Sequence, residues 1–238
     1  MSNQFNKDER IGKIVIDFPE SAEIFMKHEI DFCCGGDRSV EVAITEDNPE
    51  VEVDAVLSEI NEAYDNFLSE DYKQSDWESK SMTELLEFVE NTHHAFMKKT
   101  LPITEELLLK IFKVHYSDDK DLLTEMYKLF MLLNLDINIH LIKEEEEFFP
   151  AIREYERTQD KDELKKVLKM ISDAEDEHDA AGDILKSLRK LTNNYTLPEY
   201  GCTTFRIVYD KMQEIESDLF QHIHLENNLL FYKLKTEQ

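Results

Sequence analysis

His140-Leu-Ile-Lys-Glu144 and His222-Ile-His-Leu-Glu226 share one spacing, a histidine followed four residues later by a glutamate. In an α-helix, residues i and i+4 lie on one face, a single turn apart. Each copy also has a phenylalanine nine residues after its histidine, at Phe149 and Phe231. The repeated pattern predicts two equivalent half-sites on two helices.

A further histidine precedes each copy by about the length of one helix pair. His94 lies 46 residues before His140, and His178 lies 44 residues before His222. This arrangement predicts a pseudo-twofold internal repeat, with one histidine on the first and third helices and a histidine and a glutamate on the second and fourth. The candidate metal ligands are His94, His140, Glu144, His178, His222 and Glu226.

The surroundings of these residues favour a metal site over a surface ion pair. Apolar residues such as Ile137 and Ile223 lie next to the ligand positions, and burying imidazoles with carboxylates is costly unless they are paired or bind metal. A single histidine–glutamate pair at this spacing is usually an ion pair on a helix surface. Two copies in matching contexts indicate two metal ions, with a glutamate from each half-site bridging them. A nitrogen and oxygen set without thiolate suits iron, with manganese or zinc as alternatives.

A ferritin-like centre is a different way to hold two metals in a helical bundle. It needs two Glu-x-x-His motifs and two further glutamates. Among the candidate ligand histidines, only His178 has a glutamate three residues earlier, in Glu175-Asp-Glu-His178, because Ile137 and Leu219 stand at that distance before His140 and His222. The ferritin-like ligand set is therefore disfavoured.

The composition predicts an all-α fold. Glycine and proline number only five each among 238 residues, and few breakers with abundant helix formers favour helices. Four long helical patterns follow one another, with short loops that make neighbouring helices antiparallel. They cover Met82–His115, Leu122–Tyr155, Lys161–Leu191 and Thr203–Leu234. We expect a four-helix bundle over residues 78–238.

Residues 1–70 are expected to form a small helical domain, separated from the bundle by the polar stretch Ser69–Trp77. Cys33-Cys34-Gly35-Gly36 interrupts its helical patterns. If a helix ends near Ile30 and Asp31, the cysteines lie on an exposed turn, where thiolates could bind iron, carry nitric oxide or exchange electrons. Alternatively, one or both are small buried hydrophobic residues. Cys202 is expected to pack at a helix start and not to be reactive.

Charge and cysteine content restrict the partners and the compartment. The formal net charge of −26 disfavours nucleic acid and anionic membranes. No run of about eighteen apolar residues is present to span a bilayer, and Met1–Arg10 lacks the apolar core of a signal peptide. Three cysteines do not make a disulfide framework. We therefore expect a cytoplasmic protein.

Six neighbouring side chains are left outside the ligand set. His93 is expected to lie at the surface or to support the site, and His224 is expected to face elsewhere. The run Glu145–Glu147 is expected to be solvated, with one member as a candidate proton relay. Glu177, which directly precedes His178, is a weaker candidate for a supporting role.

Several motifs resemble known domains. Asp31-Phe-Cys-Cys-Gly-Gly36 resembles the signature of the ScdA N-terminal domain. Thr92-His-His-Ala, His140-Leu-Ile-Lys-Glu-Glu, Glu177-His-Asp-Ala-Ala-Gly182 and the stretch from His222 to Phe231 resemble a haemerythrin-like domain. Together they are similar to the iron–sulfur cluster repair di-iron proteins, the ScdA/YtfE-type family, over nearly the whole chain.

The resemblance implies a haemerythrin-like antiparallel bundle that holds two non-haem iron ions, joined by an oxo bridge and by Glu144 and Glu226. It implies a bacterial stress protein that repairs iron–sulfur clusters damaged by nitric oxide or peroxide. Damaged iron–sulfur proteins would be its partners, and NO, O2 or peroxide its small-molecule ligands. Reduction of NO to nitrous oxide, or binding of a diatomic gas at the same centre, is the alternative function. The oligomeric state is left open, with a homodimer as one expectation.

One ligand position departs from the oxygen-carrying haemerythrins. Those proteins have a second histidine on the third helix, one turn from the first. Here the neighbours of His178 at that distance are Ala174 and Gly182, and neither can bind metal. We therefore expect a centre with one histidine fewer, open to water or to a small ligand such as nitric oxide.

Overall fold

The computed structural model describes residues 5–69 and 77–237 of the chain, and the regular elements in those ranges are helices. One isolated β-bridge joins Arg10 to Ser39. The all-α fold class is confirmed. Of the predicted linker Ser69–Trp77, residues 70–76 lie outside the described ranges.

The chain groups into two compact units. One comprises Met1–Ser81 together with Ile223–Gln238, and the other comprises Met82–His222. The boundary falls inside the last long helical run. The sequence predicts two domains, 1–70 and 78–238, that fold independently. A grouping into compact units does not test independent folding, so this division stays a prediction.

The first unit has four helices before residue 70, in agreement with the expected helical character of this region. They are α1 (Ile11–Asp17), α2 (Ser21–Lys27), α3 (Val40–Asp47) and α4 (Val53–Ser69). The Ser39 side chain caps α3 by accepting a hydrogen bond from the Val42 N–H at 3.4 Å. Apolar side chains from all four helices form the core. Its fully buried members include Ile11, Ile14, Phe25, Ile44, Val56 and Ile60.

The candidate ligands lie on four longer helical runs. The first joins α5 (Met82–Val89) to α6 (Ala95–His115), and the second joins α7 (Lys120–Lys143) to α8 (Phe149–Thr158). The third is α9 (Lys161–Leu191), and the fourth joins α10 (Thr203–Leu225) to α11 (Phe231–Thr236). The four predicted helices are confirmed, and their ends differ by no more than a few residues. Within Met82–His222, α7 packs against α6 and α9, and α8 packs against α5 and α9.

Side-chain caps explain why two helix starts can be read from the sequence. Asp119 accepts a hydrogen bond from the Leu122 N–H at 3.0 Å at the start of α7. Asp160 accepts one from the Asp162 N–H at 2.7 Å at the start of α9. Such caps are worth about 1 kcal/mol each, because they satisfy N–H groups that have no partner within the helix.

Three segments of π-helix interrupt the bundle runs, and each contains a candidate ligand at its edge. Glu90–His94 ends with His94, Glu144–Phe148 begins with Glu144, and Glu226–Leu230 begins with Glu226. A π-helical turn is wider than an α-helical turn and occurs mostly as a single turn, often at functional sites. The widened turns therefore occur where the sequence pattern predicts the metal site.

The bundle helices bury one apolar stripe each and expose charged faces, as expected for amphipathic helices. Leu101, Leu108, Phe130 and Leu185 are at most 1% exposed. In the described part of the chain, no helix combines the length and the hydropathy that crossing a bilayer requires.

Candidate metal centre

The six predicted ligands are all buried, with 0 to 7% of each residue exposed. Five of them lie within Met82–His222. The sixth, Glu226, follows His222 by one turn on the same helical run, at the start of its π segment. The structure therefore buries the side chains that the repeated spacing singles out.

The Glu144 carboxylate lies among the histidine Nε2 atoms. Its Oε2 atom is 3.2 Å from His94 Nε2 and 3.8 Å from His222 Nε2. Its Oε1 atom is 3.3 Å from His140 Nε2, and His140 Nε2 is 3.2 Å from His178 Nε2. The two oxygens of one carboxylate thus face two different pairs of histidines.

The potential ligand atoms form two groups, each with all its atoms within 4.8 Å of one another. The first group is His94, Glu144, His222 and Glu226. The second group is His140, Glu144, His178 and Glu226. Both glutamates belong to both groups, whereas each histidine belongs to one.

The donor set fits divalent metal ions. Two buried carboxylates require compensating charge, and four imidazoles supply neutral nitrogen donors. The lysines near the site, Lys98 and Lys143, bind the outer carboxylates Glu145 and Glu177 instead. Nitrogen and oxygen donors without thiolate suit iron, manganese or zinc.

Two outer carboxylates orient the histidines. His94 Nδ1 is 2.7 Å from Glu145 Oε1, and His140 Nδ1 is 2.8 Å from Glu177 Oε2. A carboxylate on Nδ1 holds the proton there, so Nε2 keeps its lone pair for a metal, and the charge makes the imidazole a better donor. The hydrogen bond from His140, with help from Lys143, lowers the pKa of Glu177 to about 2. Although burial opposes it, hydrogen bonds from Lys98 and His94 lower the pKa of Glu145.

The role of Glu145 was missed by the sequence analysis. The expectation that the whole run Glu145–Glu147 is solvated is wrong for Glu145, whose side chain is 27% exposed and contacts His94. Glu146 and Glu147 are exposed, as expected. Glu177, the weaker candidate for a supporting role, does contact His140.

His93 also supports the site and does not lie at the surface. It is 4% exposed, and its Nδ1 atom is 3.1 Å from Asp218 Oδ1. Its ring stacks on that of His222, with centroids 5.8 Å apart and planes 8° apart. His93 therefore fixes the His222 ring and is not a member of either ligand group.

His224 faces away from the ligand groups, as expected. Its Nδ1 atom is 3.2 Å from Asn228 Nδ2, and its ring centroid is 5.7 Å from that of Phe32. Complete burial lowers the pKa of His224 to about 4. The imidazole is therefore neutral and belongs to the core of the first unit.

The cysteine pair lies in a tightly bonded turn after α2. The Asp31 carboxylate accepts hydrogen bonds from the N–H groups of Cys34 and Gly35, at 3.0 and 3.3 Å. Cys33 Sγ is 3.3 Å from Asp31 Oδ1 and 3.8 Å from Cys34 Sγ. Cys33 is 3% exposed and Cys34 is half-buried, so the exposed-turn expectation is wrong for Cys33. A hydrogen bond with Cys34, together with burial, raises the pKa of the Cys33 thiol.

Arg38, which the sequence analysis also missed, closes this turn. Its guanidinium binds both carboxylate oxygens of Asp47, at 2.7 and 2.8 Å. It also donates to the carbonyl oxygens of Gly35 and Asp31, each at 3.1 Å. This bidentate pair joins the cysteine turn to the end of α3.

Two family models match this chain. Residues 7–64 match the ScdA N-terminal domain, described as a Domain of Unknown function (DUF542). Residues 84–234 match the Hemerythrin HHE cation binding domain. The haemerythrin-like character of the bundle is therefore confirmed, and all six candidate ligands lie within the second match.

Two curated relatives are similar over nearly their whole length. The iron-sulfur cluster repair protein ScdA of Staphylococcus epidermidis is 32% identical over 230 residues, covering 96% of this chain and 98% of that protein. The iron-sulfur cluster repair protein YtfE of Escherichia coli is 30% identical over 227 residues, covering 94% of this chain and 96% of that protein. With both domains matched in order, this chain belongs to the ScdA/YtfE family of iron–sulfur cluster repair proteins.

Proposed function

We propose that this protein repairs iron–sulfur clusters damaged by nitrosative or oxidative stress, by supplying iron held at a centre of two non-haem iron ions. The observation that carries the proposal is the pair of ligand groups that share Glu144 and Glu226. Two shared carboxylates offset part of the charge of two divalent ions, and four neutral imidazoles complete a nitrogen and oxygen donor set that suits such ions. The names of the two relatives support cluster repair as the purpose of such a centre.

Each residue of the centre has a definite part in this proposal. His94 and His222 would hold one iron, and His140 and His178 would hold the other. Glu144 and Glu226 would bridge them, and Glu145 would keep His94 oriented. Iron bound there supplies Lewis-acid and one-electron chemistry. An oxo bridge between the ions is part of the proposal and is to be tested by the optical spectrum.

Open space beside the third helix supports access for a small molecule. Gly182 stands one turn after His178, where oxygen-carrying haemerythrins have a further histidine, and a Cβ atom built there meets no neighbouring atom within 4 Å. Ala174, one turn before His178, is buried and also lacks a donor. NO, O2 or peroxide are small enough for such a space.

Cys33 and Cys34 are proposed to act in redox exchange or in transfer of iron or NO. With Asp31 they form a further group of potential ligand atoms within 4.8 Å of one another. Thiolates are soft ligands and can accept iron or electrons that carboxylates hold less well. Because the pKa of Cys33 is raised, this role requires loss of its proton as the metal or NO binds.

Metal content tests the centre first. We expect two irons per chain after anaerobic reconstitution, and near-ultraviolet absorption from the oxidised, oxo-bridged pair. Zinc alone, or one metal per chain, would contradict the proposed centre.

Iron transfer tests the repair function. Protein loaded with labelled iron is mixed with an iron–sulfur enzyme damaged by NO, and both label transfer and recovered activity are measured. We expect transfer by the unmodified protein and loss of transfer in the Cys33→Ser, Cys34→Ser double variant at matched iron content. Cys202→Ser is the control. Steady turnover of NO to nitrous oxide without iron transfer would instead favour the reductase alternative.

A homodimer is proposed from an exposed stripe on α7. Its four apolar side chains are spaced three, four and three residues apart, which is the seam spacing of a coiled coil. They are Leu132, Leu135, Ile139 and Ile142, each 44 to 60% exposed. A second copy of this chain offers the same stripe. Light scattering should show a dimer that Leu135→Glu dissociates and Lys128→Glu does not; a monomer in every case contradicts the proposal.

The proposed compartment is the cytoplasm, where thiols stay reduced. The three cysteines are free in this structure, and the proposed role of Cys33 and Cys34 needs them in that state. The proposed partners are damaged iron–sulfur proteins, with no nucleic acid and no membrane.

A further inference from the structure

A half-exposed lysine binds the carboxylate that lies behind His94. Lys98 Nζ is 2.6 Å from both Oε1 and Oε2 of Glu145. His94 Nδ1 is 2.7 Å from the same Oε1 atom. One carboxylate oxygen therefore contacts an ammonium group and an imidazole at once. The Lys98 side chain is 48% exposed and that of Glu145 is 27% exposed, so this pair lies where the site meets solvent.

The carboxylate behind His140 also has a lysine, in a different arrangement. Lys143 Nζ donates a hydrogen bond to Oε1 of Glu177, whereas His140 Nδ1 is 2.8 Å from Oε2. The ammonium group and the imidazole therefore use separate oxygens of Glu177. The two chains of lysine, glutamate and histidine have the same members, but only the first has a shared oxygen.

Each chain serves a different metal position. His94 and His140 belong to different ligand groups. Lys98 follows His94 by four residues, and Lys143 follows His140 by three, so each lysine lies about one turn from its histidine on the same helical run. All members of the two chains lie within Met82–His222. Each ligand group thus has one histidine that is backed by a carboxylate and a lysine.

The lysines oppose the electrostatic effect of the outer carboxylates. A carboxylate that accepts the Nδ1 hydrogen makes an imidazole a better donor at Nε2. An ammonium group on that carboxylate offsets its charge and competes for its lone pairs. The imidazole then gains less donor strength. This effect is greatest where both groups use one oxygen, as they do at Glu145.

We propose that Lys98 and Lys143 weaken metal binding by offsetting the charge of the carboxylates behind two ligand histidines. Each lysine acts through another residue and is a positioning residue, not a metal ligand. Lys98 has the larger effect, so the two metal positions are unequal. This role rests on the proposed function, because a centre that supplies iron must hold it weakly enough to release it.

A merely structural role for Lys98 predicts the opposite sign. If Lys98 only held Glu145 in place, its removal would release the carboxylate and weaken metal binding, as loss of the carboxylate itself does. If Lys98 offsets the charge of Glu145, its removal strengthens metal binding. The direction of the change therefore distinguishes the two roles.

Lys98→Met tests this role in the full-length protein loaded with iron. Methionine has a side chain of similar length without the charge. We expect ferrous iron to be lost to a chelator about two- to fivefold more slowly, the range that exposed ion pairs support, and the midpoint potential of the bound iron to fall. Lys98→Arg keeps the charge and should restore both values. Lys143→Met should shift both in the same direction but by less.

Proton NMR of zinc-loaded protein gives a second measurement that does not depend on iron. Zinc is diamagnetic, and the Nδ1 proton of His94 reports the hydrogen bond to Glu145. Lys98→Met should move this resonance downfield, because the hydrogen bond becomes stronger. The matched control is Lys99→Met, which removes a charge from the exposed neighbouring position. It should change neither the resonance nor the rate of iron loss.

Unchanged or faster iron loss in Lys98→Met would overturn this role, as would equal effects of Lys98→Met and Lys99→Met. Cluster repair is measured separately, as recovery of an iron–sulfur enzyme damaged by NO. Recovery without the expected shifts would reject the role of the lysines and leave the proposed function in place. The expected shifts without recovery would support the role of the lysines and reject only the proposed function. A protein that bound neither iron nor zinc would overturn both.

Discussion

Asn228 donates its side-chain amide to the carbonyl oxygen of Cys33 at 2.8 Å and to that of Phe32 at 3.2 Å. Two glycines make room for this side chain. A Cβ atom on Gly12 would stand 2.5 Å from Asn228 Oδ1, and one on Gly36 would also clash with it. Asn228 lies in the π segment that begins with Glu226, so the backbone of the cysteine turn is tied to the chain segment that follows a candidate ligand.

Asn228→Ala should loosen the cysteine turn. The change removes the Asn228 donor from two buried carbonyl groups, and Cys33 keeps only the longer contact with Asn227, so we expect a cost of about 1–3 kcal/mol. We expect a lower melting temperature and faster alkylation of Cys33, measured by mass spectrometry. Asn227→Ala is the matched control, because Asn227 donates to the same Cys33 oxygen at a longer 3.4 Å. Equal alkylation rates in Asn228→Ala and unmodified protein would show that the amide does not hold the turn.

Glu145→Gln and Glu177→Gln should each weaken iron binding by about 10–100-fold, the range found when a carboxylate behind a ligand histidine is removed. Glutamine keeps the shape but lacks the charge that makes the imidazole a better donor. Chelator competition measures the effect. Glu146→Gln, on an exposed neighbour, is the control, and equal iron loss from all three variants would contradict the assigned roles.

The candidate ligand positions could be proposed from the sequence because helix geometry is local. Residues four apart share a face whatever the tertiary structure. The histidine and glutamate spacing of the second helix recurs in the fourth, and this recurrence supports the assignment of both pairs. The helix starts were equally readable, because the caps Asp119 and Asp160 contact residues only two or three positions away.

Long-range contacts could not be found in this way. Glu145 reaches His94 across 51 residues, and Asn228 reaches Cys33 across 195. In the sequence Glu145 is one of four consecutive glutamates, and nothing distinguishes it from its solvated neighbours. The three π segments also lacked a signal, because a widened turn depends on packing around the site and not on residue propensity.

Gly182→Ala should stabilise the protein while restricting small molecules. The position is inside α9 and has open space for a Cβ atom, so alanine should add about 0.5–1 kcal/mol of helix stability. Because the methyl group fills part of the space beside His178, we expect slower NO binding in stopped-flow measurements with unchanged iron content. Ser187→Ala, on the exposed face of α9, should leave the NO rate unchanged. A lower melting temperature or an equal NO rate in Gly182→Ala would count against this use of the space.

Glu144→Gln should separate stability from metal binding. The Glu144 carboxylate is only 2% exposed, and a charge buried to this degree costs stability in metal-free protein. Glutamine has the same shape without the charge, and removing such a charge is expected to stabilise the metal-free protein by roughly 1–3 kcal/mol.

Added iron should then raise the melting temperature of unmodified protein, because a ligand that binds only the folded state stabilises it. Added iron should raise the melting temperature of the Glu144→Gln variant far less. Glu226→Gln should show the same changes in melting temperature as Glu144→Gln, since both glutamates belong to both ligand groups. The control Glu147→Gln should melt like the unmodified protein, with and without iron. If metal-free Glu144→Gln melts below the unmodified protein, the carboxylate is satisfied without metal, and the charge argument for two metal ions fails.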